Sequence, residues 1–233
     1  MILYKYLLHI SDIHIRLHER HEEYRSVFDA LYKELKKYEN AIIVLTGDLF
    51  HNKDKLSPGS LTLGQEFLVN LCHIHPVVLI AGNHDCVLQS DEKIDTISAL
   101  LKYINSDRIH YFPYTTTYQM SNVLFCVNSR MDNKFINCKE IDKPQCVKIG
   151  LYHGIVGCIK QGKVVLSGID PKKFDGFDAV LLGDIHQPMF INDNQTMAYA
   201  SSLISQNYGE SHAHGFIVWK IQDKQIQGEF HEI

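Results

Sequence analysis

The chain carries short runs of Val, Ile and Leu that do not alternate with polar residues, and each is followed within three residues by Asp, Asn or His. The runs are Tyr6–Ile10, Ala41–Leu45, Val77–Ala81, Val123–Val127, Val147–Tyr152, Ala179–Leu182 and Phe216–Ile221. A run of this length without alternation describes a strand buried on both faces, and such strands occur where helices or a second sheet cover each side. The intervening segments supply the covers. Tyr24, Val27, Phe28, Leu31, Leu35 and Tyr38 repeat at helical spacing, and Leu63, Phe67 and Leu71 repeat likewise behind Ser57 and Pro58. A third helix is predicted from Ile94 to Ile104, through Ile97, Leu100 and Leu101. The first half therefore reads β-α-β-α-β-α. The later part is richer in β and ends in a hairpin, Phe216–Ile221 and Gln225–His231, turning at Asp223 and Lys224. The fold class expected is α/β, a four-layer α/β/β/α sandwich of mixed sheets, with residues 1–233 forming a single domain.

The polar clusters at the strand exits carry the chemistry. They are Asp12-Ile13-His14, Gly47-Asp48-Leu49-Phe50-His51, Gly82-Asn83-His84-Asp85, His153-Gly154 and Gly183-Asp184-Ile185-His186. Functional groups of open α/β sheets gather beyond the carboxyl ends of the strands, so these exits are expected to share one crevice. Taken singly, each residue has an ordinary explanation: a strand-end histidine, a helix-capping aspartate, an Asx turn. Independent turns have no structural reason to select metal-binding side chains at every exit.

Asp, Asn and His without thiolate suit hard or borderline divalent ions better than a closed structural zinc site. Two such ions ~3.5 to 4 Å apart need a carboxylate between them. Asp48 is central in chain order and is the expected bridge. Asp12, His14 and His186 are expected on one ion, with Asn83, His153 and Asp184 on the other. Water held between two dications ionises near neutral pH and would be the nucleophile for a phosphoester. His84 is expected to assist the leaving oxygen, Asp85 to hold the His84 imidazole, and His51 to reach a phosphate oxygen. The expected cofactors are two divalent ions, Mn first, with Fe, Mg or Zn able to use the same donors.

Composition removes several other classes. The chain has 233 residues, 45% hydrophobic, with 23 basic and 27 acidic side chains and a net charge of −4. This excludes disorder and argues against a binder that works through a broad basic surface. No apolar run approaches the ~20 residues of a membrane span, and neither a signal sequence nor a nucleotide-binding GxxxxGK[ST] loop is present. Six cysteines without a CxxC pair fit reduced thiols, so an intracellular setting is expected, cytoplasmic or nuclear. His18, His21, His73, His75 and His110 are expected on the surface or at helix ends. Lys53, Lys55 and Arg16 are expected to be solvated loop charges, with contact to a phosphate backbone as the alternative.

The order Asp-x-His, Gly-Asp-x-x-His, Gly-Asn-His-Asp, His-Gly and Gly-x-x-His resembles the calcineurin-like metallophosphoesterases. Three further stretches resemble the narrower branch of the bacterial exonuclease subunit SbcD and its double-strand-break repair relatives. These are Gly47 to His51 with the following Lys53 to Pro58, Gly183-Asp-Ile-His-Gln-Pro188, and Tyr199 to Glu210 with His214 to Trp219. The likeness runs from Leu8 to about Ile221. It implies a manganese-dependent nuclease, an exonuclease on duplex ends and an endonuclease on single strands or hairpins. It also implies a homodimer working with a coiled-coil ABC-type ATPase on DNA. The sequence departs from that pattern in having Asp184 where the family has His, and in lacking the family's capping and ATPase-binding regions. The same metal centre would equally serve small phosphodiesters, nucleotide pyrophosphates or phosphoproteins. A catalytically weak scaffold with the same fold is the alternative of another class.

Overall fold

The computed structural model describes residues 2–53, 55–87, 95–132, 134–161, 164–210 and 212–233. In chain order the principal elements are β1 (Tyr6–Ile10), α1 (His21–Leu35), β2 (Ala41–Leu45), α2 (Pro58–Ile74), β3 (Val77–Ile80), α3 (Thr96–Leu101) and β4 (Ile109–Phe112). There follow β5 (Thr116–Met120), β6 (Val123–Asn128), β7 (Val147–His153), β8 (Cys158–Gln161), β9 (Val164–Ser167) and β10 (Ala179–Gly183). The chain closes with β11 (Met189–Phe190), β12 (Met197–Tyr199), β13 (Gly215–Gln222) and β14 (Gln225–Glu232).

Two six-stranded mixed sheets stack on each other, in the orders β14-β13-β1-β2-β3-β4 and β11-β12-β10-β7-β6-β5. Leu7, Ile42, Val44, Val78 and Trp219 of the first sheet meet Val127, Ile149, Leu151 and Leu181 of the second in one buried cluster. Every residue of β2, β3, β6 and β10 is buried, as non-alternating runs require.

The outer face of the first sheet is covered by α1, α2 and α3. Helix α2 opens on a capping box: Ser57 Oγ accepts the Ser60 N–H at 3.0 Å, Ser60 Oγ accepts the Ser57 N–H at 2.9 Å, and Pro58 occupies the first turn. Phe28 of α1 and Phe67 of α2 stack with ring centroids 4.2 Å apart and hold the two helices together. Both rings are at most 3% exposed, so truncating either to Ala would cost about 3 to 5 kcal/mol.

Helix α3 starts at the Asp95 cap, whose carboxylate accepts the Ser98 N–H at 2.6 Å. It ends at Leu101, earlier than the apolar spacing suggests. The chain leaves in a turn closed by Tyr103 N–H to Leu100 O and Ile104 N–H to Leu101 O, both 3.1 Å, and Ile104 still packs on the core. Ile94, expected within this helix, lies outside the described residues, as does Asp54.

The outer layer on the second sheet is made among the described residues by a 3-10 turn, Pro171–Phe174, and the hairpin β8–β9. Phe174, Val156 and Ile159 bury against Val180, Leu182 and Tyr199 there. The closing hairpin β13–β14 turns at Asp223 and Lys224, with φ of 51° and 66°, the left-handed pair that matches strand twist.

Strands β1, β2 and β3 run parallel, as do β7 and β10. The register sets Ile10 against Leu45, Leu45 against Leu79, and His153 against Gly183. Their carboxyl ends therefore open on one rim, where both sheets deliver their exit loops.

Candidate metal centre

The exit loops are laced together by main-chain bonds before any side chain enters. Asp12 N–H donates to Gly47 O at 3.1 Å, His14 N–H to Asp48 O at 2.9 Å, and Gly154 N–H to Gly183 O at 3.0 Å. The two sheets are joined through Asp12, whose carboxylate oxygens accept the Asp184 N–H at 3.1 and 3.2 Å. Two glycines make the closeness possible. A Cβ at Gly82 would stand 2.0 Å from Asp48 Oδ1, and one at Gly183 would stand 2.3 Å from Thr46 O and 2.7 Å from His153 Nδ1. Asp12, His14, Asp48 and Asp184 all carry positive φ, at 52°, 51°, 56° and 98°. Left-handed backbone costs a non-glycine residue roughly 1 kcal/mol or more, and strain of this kind collects at functional sites.

The side chains form two adjoining groups that share Asp48. Asp48 Oδ2 lies 3.4 Å from His14 Nε2 on one side and 3.4 Å from His153 Nε2 on the other. On the first side His14 Nε2 is 3.1 Å from His186 Nε2 and 4.0 Å from Asp12 Oδ1. On the second, His153 Nε2 is 2.8 Å from Asn83 Oδ1 and 3.7 Å from Asp184 Oδ1. Ligands ~2.1 Å from an ion stand roughly 3 to 3.5 Å from each other, so the spacing fits a pair of ions.

The charge balance fits as well. Asp12 and Asp48 are at most 2% exposed, and among the described residues their ion pairs are with histidines only. Burial drives Asp12 up to about 6. Burial also opposes charge on Asp48, but His153 and His14 overcome it and hold that carboxylate below its usual range. His153 is in turn pulled up to about 10: burial resists, and the Asp48 carboxylate prevails. His14 is pushed well below its usual range by burial. A buried acidic set without Lys or Arg calls for cations.

Contacts behind these side chains aim the rings. His153 Nδ1–H donates to Thr46 O at 2.7 Å, which turns Nε2 into the site. Behind it Thr46 Oγ1 stands 2.9 Å from His9 Nε2. His186 Nδ1 is 3.3 Å from Glu210 Oε1. Burial works against charge on Glu210, yet the Gln206 N–H and His186 keep it below the usual carboxylate range.

His84 and His51 lie beside this group, with rings stacked 5.6 Å apart and His84 edge-on to His14 at 4.8 Å. The structure corrects the task expected of Asp85. Its carboxylate accepts main-chain N–H groups from Asp48 (2.7 Å), Gly82 (2.9 Å), Leu49 (2.9 Å) and Phe50 (3.2 Å). It thus ties the exit of β2 to that of β3, and its oxygens are filled. The imidazole of His84 is oriented by a main-chain group, Nδ1 donating to His51 O at 2.5 Å. Burial, then the Asp48 charge, lifts Asp85 to about 7.

Glu210 and Thr46 escape sequence reading. A glutamate in an irregular loop and a main-chain carbonyl carry no spacing signal. His212 and His214 pack near Glu210, His212 Nε2 at 2.9 Å from His186 O and His214 Nε2 at 3.9 Å from Glu210 Oε2. Cys86 is buried with Sγ toward Gly82 O at 3.2 Å, a packing position, and all six cysteines are free. No helix among the described residues is long and apolar enough to cross a membrane. A concavity of about 800 Å³ between Asn194 and the β13–β14 turn lies away from all these side chains.

Uncharacterized protein R555 of Acanthamoeba polyphaga mimivirus is 39% identical over 240 residues, covering 96% of this chain; the chain spans 18% of that protein's length. The nuclease MPE of Pseudomonas putida superposes at a TM-score of 0.41 and 15% identity, over 96% of this chain and 86% of that one. Residues 6–188 match the calcineurin-like phosphoesterase family. With that match over most of its length, and the paired Asp, Asn and His groups at its strand exits, the chain belongs to the calcineurin-like phosphoesterases.

Proposed function

We propose that this chain is a two-metal phosphodiesterase acting on DNA, with manganese as the preferred ion. The observation that carries the reading is Asp48 Oδ2, equidistant at 3.4 Å from His14 Nε2 and His153 Nε2. In this reading Asp12, His14 and His186 would hold one ion, Asn83, His153 and Asp184 the other, with Asp48 available to both. Three carboxylates among the donors favour a hard ion and support manganese over zinc. A bound pair supplies Lewis acidity toward the phosphoryl oxygens and ionises water near neutral pH.

The chain's own groups do the rest. His51 O pins Nδ1 of His84, leaving Nε2 of that ring to hold a proton for the departing oxygen. Thr46 O and Glu210 fix the His153 and His186 rings, so the donors are arranged in advance of the reaction. Asp85 keeps the β2 and β3 exits in register and acts as a positioning residue.

The nuclease assignment draws on the Gly47–His51, Gly183–Pro188 and Tyr199–Glu210 stretches, which resemble the SbcD branch. A coiled-coil ATPase partner, a homodimer and a role in double-strand-break repair belong to the same proposal. The test is hydrolysis of bis(p-nitrophenyl) phosphate and of DNA by purified protein with manganese. Turnover of both is the expected result, and turnover of neither at saturating metal would overturn it.

A further inference from the structure

Tyr208 is fully exposed, yet it stands in a loop that is tied down on every side. Arg20 Nη1 donates to Ser205 O at 2.5 Å and Arg16 Nη2 to Gln206 O at 3.0 Å. Gln206 N–H donates to Glu210 Oε2 at 2.6 Å and Asn207 Nδ2 to Glu210 Oε1 at 3.2 Å. That same Oε1 meets Nδ1 of His186. The loop from Ser205 to Glu210 is therefore held in a fixed relation to the metal centre, and it turns its one aromatic ring outward.

Single exposed aromatics are ordinary, and Tyr103, 80% exposed, is one. Tyr208 differs by position. A cleft of about 660 Å³ runs past Lys160, Asp184 and His186 to Asn207. A second, about 410 Å³, continues from Asn207 past Tyr208 to Arg16. A third, about 340 Å³, runs from Arg16 to His51 and Asn52. The three adjoin through Asn207 and Arg16 and make a trough past the metal centre, with Lys160 toward one end and Arg16, beside Glu19, where the second and third clefts meet. Arg20, beside it, is neutralised by Glu23 at 2.6 Å.

We infer that this trough holds a single-stranded nucleic acid and that the Tyr208 ring stacks on a base next to the scissile phosphate. The inference deepens the phosphodiesterase reading and rests on it for the location of that phosphate. An aromatic face can receive only a base whose own face is free, which selects an unpaired strand over the interior of a duplex. A net charge of −4 argues against affinity from a wide basic surface and leaves local contacts, stacking among them, to supply it. Lys160 and Arg16 would contact about two phosphates, giving a shallow salt dependence, a slope of roughly −1.4 in log K against log salt.

The test measures binding of a short oligothymidylate and of an abasic strand of the same length, with calcium in place of manganese to limit cleavage. Wild type is expected to prefer the base-bearing strand by roughly tenfold or more. Tyr208→Ala is expected to bind both strands alike, Tyr208→Trp to keep the preference, and 2-aminopurine fluorescence to be quenched by wild type and not by the alanine variant. Equal binding of the two strands by wild type, or an undiminished preference in Tyr208→Ala, would overturn the inference. Turnover of bis(p-nitrophenyl) phosphate by wild type reports separately on the metal centre, so failure of the chemistry and failure of the stacking surface are told apart.

Discussion

Nδ1 of His186 stands 3.3 Å from Oε1 of Glu210, a residue 24 positions further along the chain. Carboxylates in this position fix a ligand ring and raise its basicity, and their loss weakens metal binding by about 10- to 100-fold. Glu210→Ala is expected to fall in that range, and Glu210→Gln, which can still accept the bond, by less. Manganese titration followed by calorimetry checks the difference; equal losses in the two variants would show that the orienting bond does not matter.

Asp48 is the position where charge and geometry coincide. Asp48→Asn keeps an acceptor for the His84 N–H, now 2.8 Å from Oδ1, but removes the negative charge between His14 and His153. Metal analysis should find the ion count falling from two to one or none. Phosphodiester turnover should drop by on the order of 10³-fold or more, while the unfolding transition of the apoprotein survives.

Removal of Asp85 should act through the backbone. Asp85→Asn sets an NH₂ group against main-chain donors of Asp48 and Gly82 or of Leu49 and Phe50. Leaving such donors unpaired costs about 2 to 4 kcal/mol in total. The expected signature is a lowered urea midpoint in the metal-free protein together with weaker manganese binding. A variant that matched wild type in both would dismiss the brace.

His9 gives the folded state an acid sensitivity of its own. Burial depresses its pKa from 6.5 to about 3, against a weaker bond to the Leu182 main chain. The unfolded chain therefore binds one more proton than the folded chain between these values. Stability contributed by neutral His9 is present above pH 6.5 and is lost on acidification, by about 1.4 kcal/mol per pH unit until about pH 3. Urea midpoints of wild type and His9→Gln at pH 6.5 and 5 test this: the variant should lose less stability on acidification.

Much of the architecture is legible in residue order because burial on both faces leaves an unmistakable pattern. Ala41–Leu45 and Ala179–Leu182 contain nothing polar, and the amphipathic spacing of Tyr24, Phe28, Leu31 and Leu35 reappears as the buried stripe of α1. The short strands β4, β5, β8, β9, β11 and β12 were not legible. β4, β5 and β11 are sheet edges, β12 fills the place between β10 and β11, and β8 and β9 form a small hairpin, so the partner strand, not their own spacing, stabilises each of them.

The candidate ligands could be read for a related reason. Each lies at a strand end or within three residues of it, so locating Ile10, Leu45, Ile80, Tyr152 and Leu182 within strands also locates Asp12, Asp48, Asn83, His153 and Asp184. Their neighbours could not. Asp85 lies 37 residues from the Asp48 N–H it accepts, and Asn207 lies in a loop whose order depends on Arg16 and Arg20 from the opposite end of the chain. Local patterns register the two-residue and 3.6-residue periods of strands and helices because backbone geometry repeats. Hydrogen bonds between loops repeat nothing: they exist once strands distant in the chain have come together, and the pairing of β2 with β3 assigned Asp85 to the backbone as the folding of the 205–210 loop beside the β10 exit assigned Glu210 to His186.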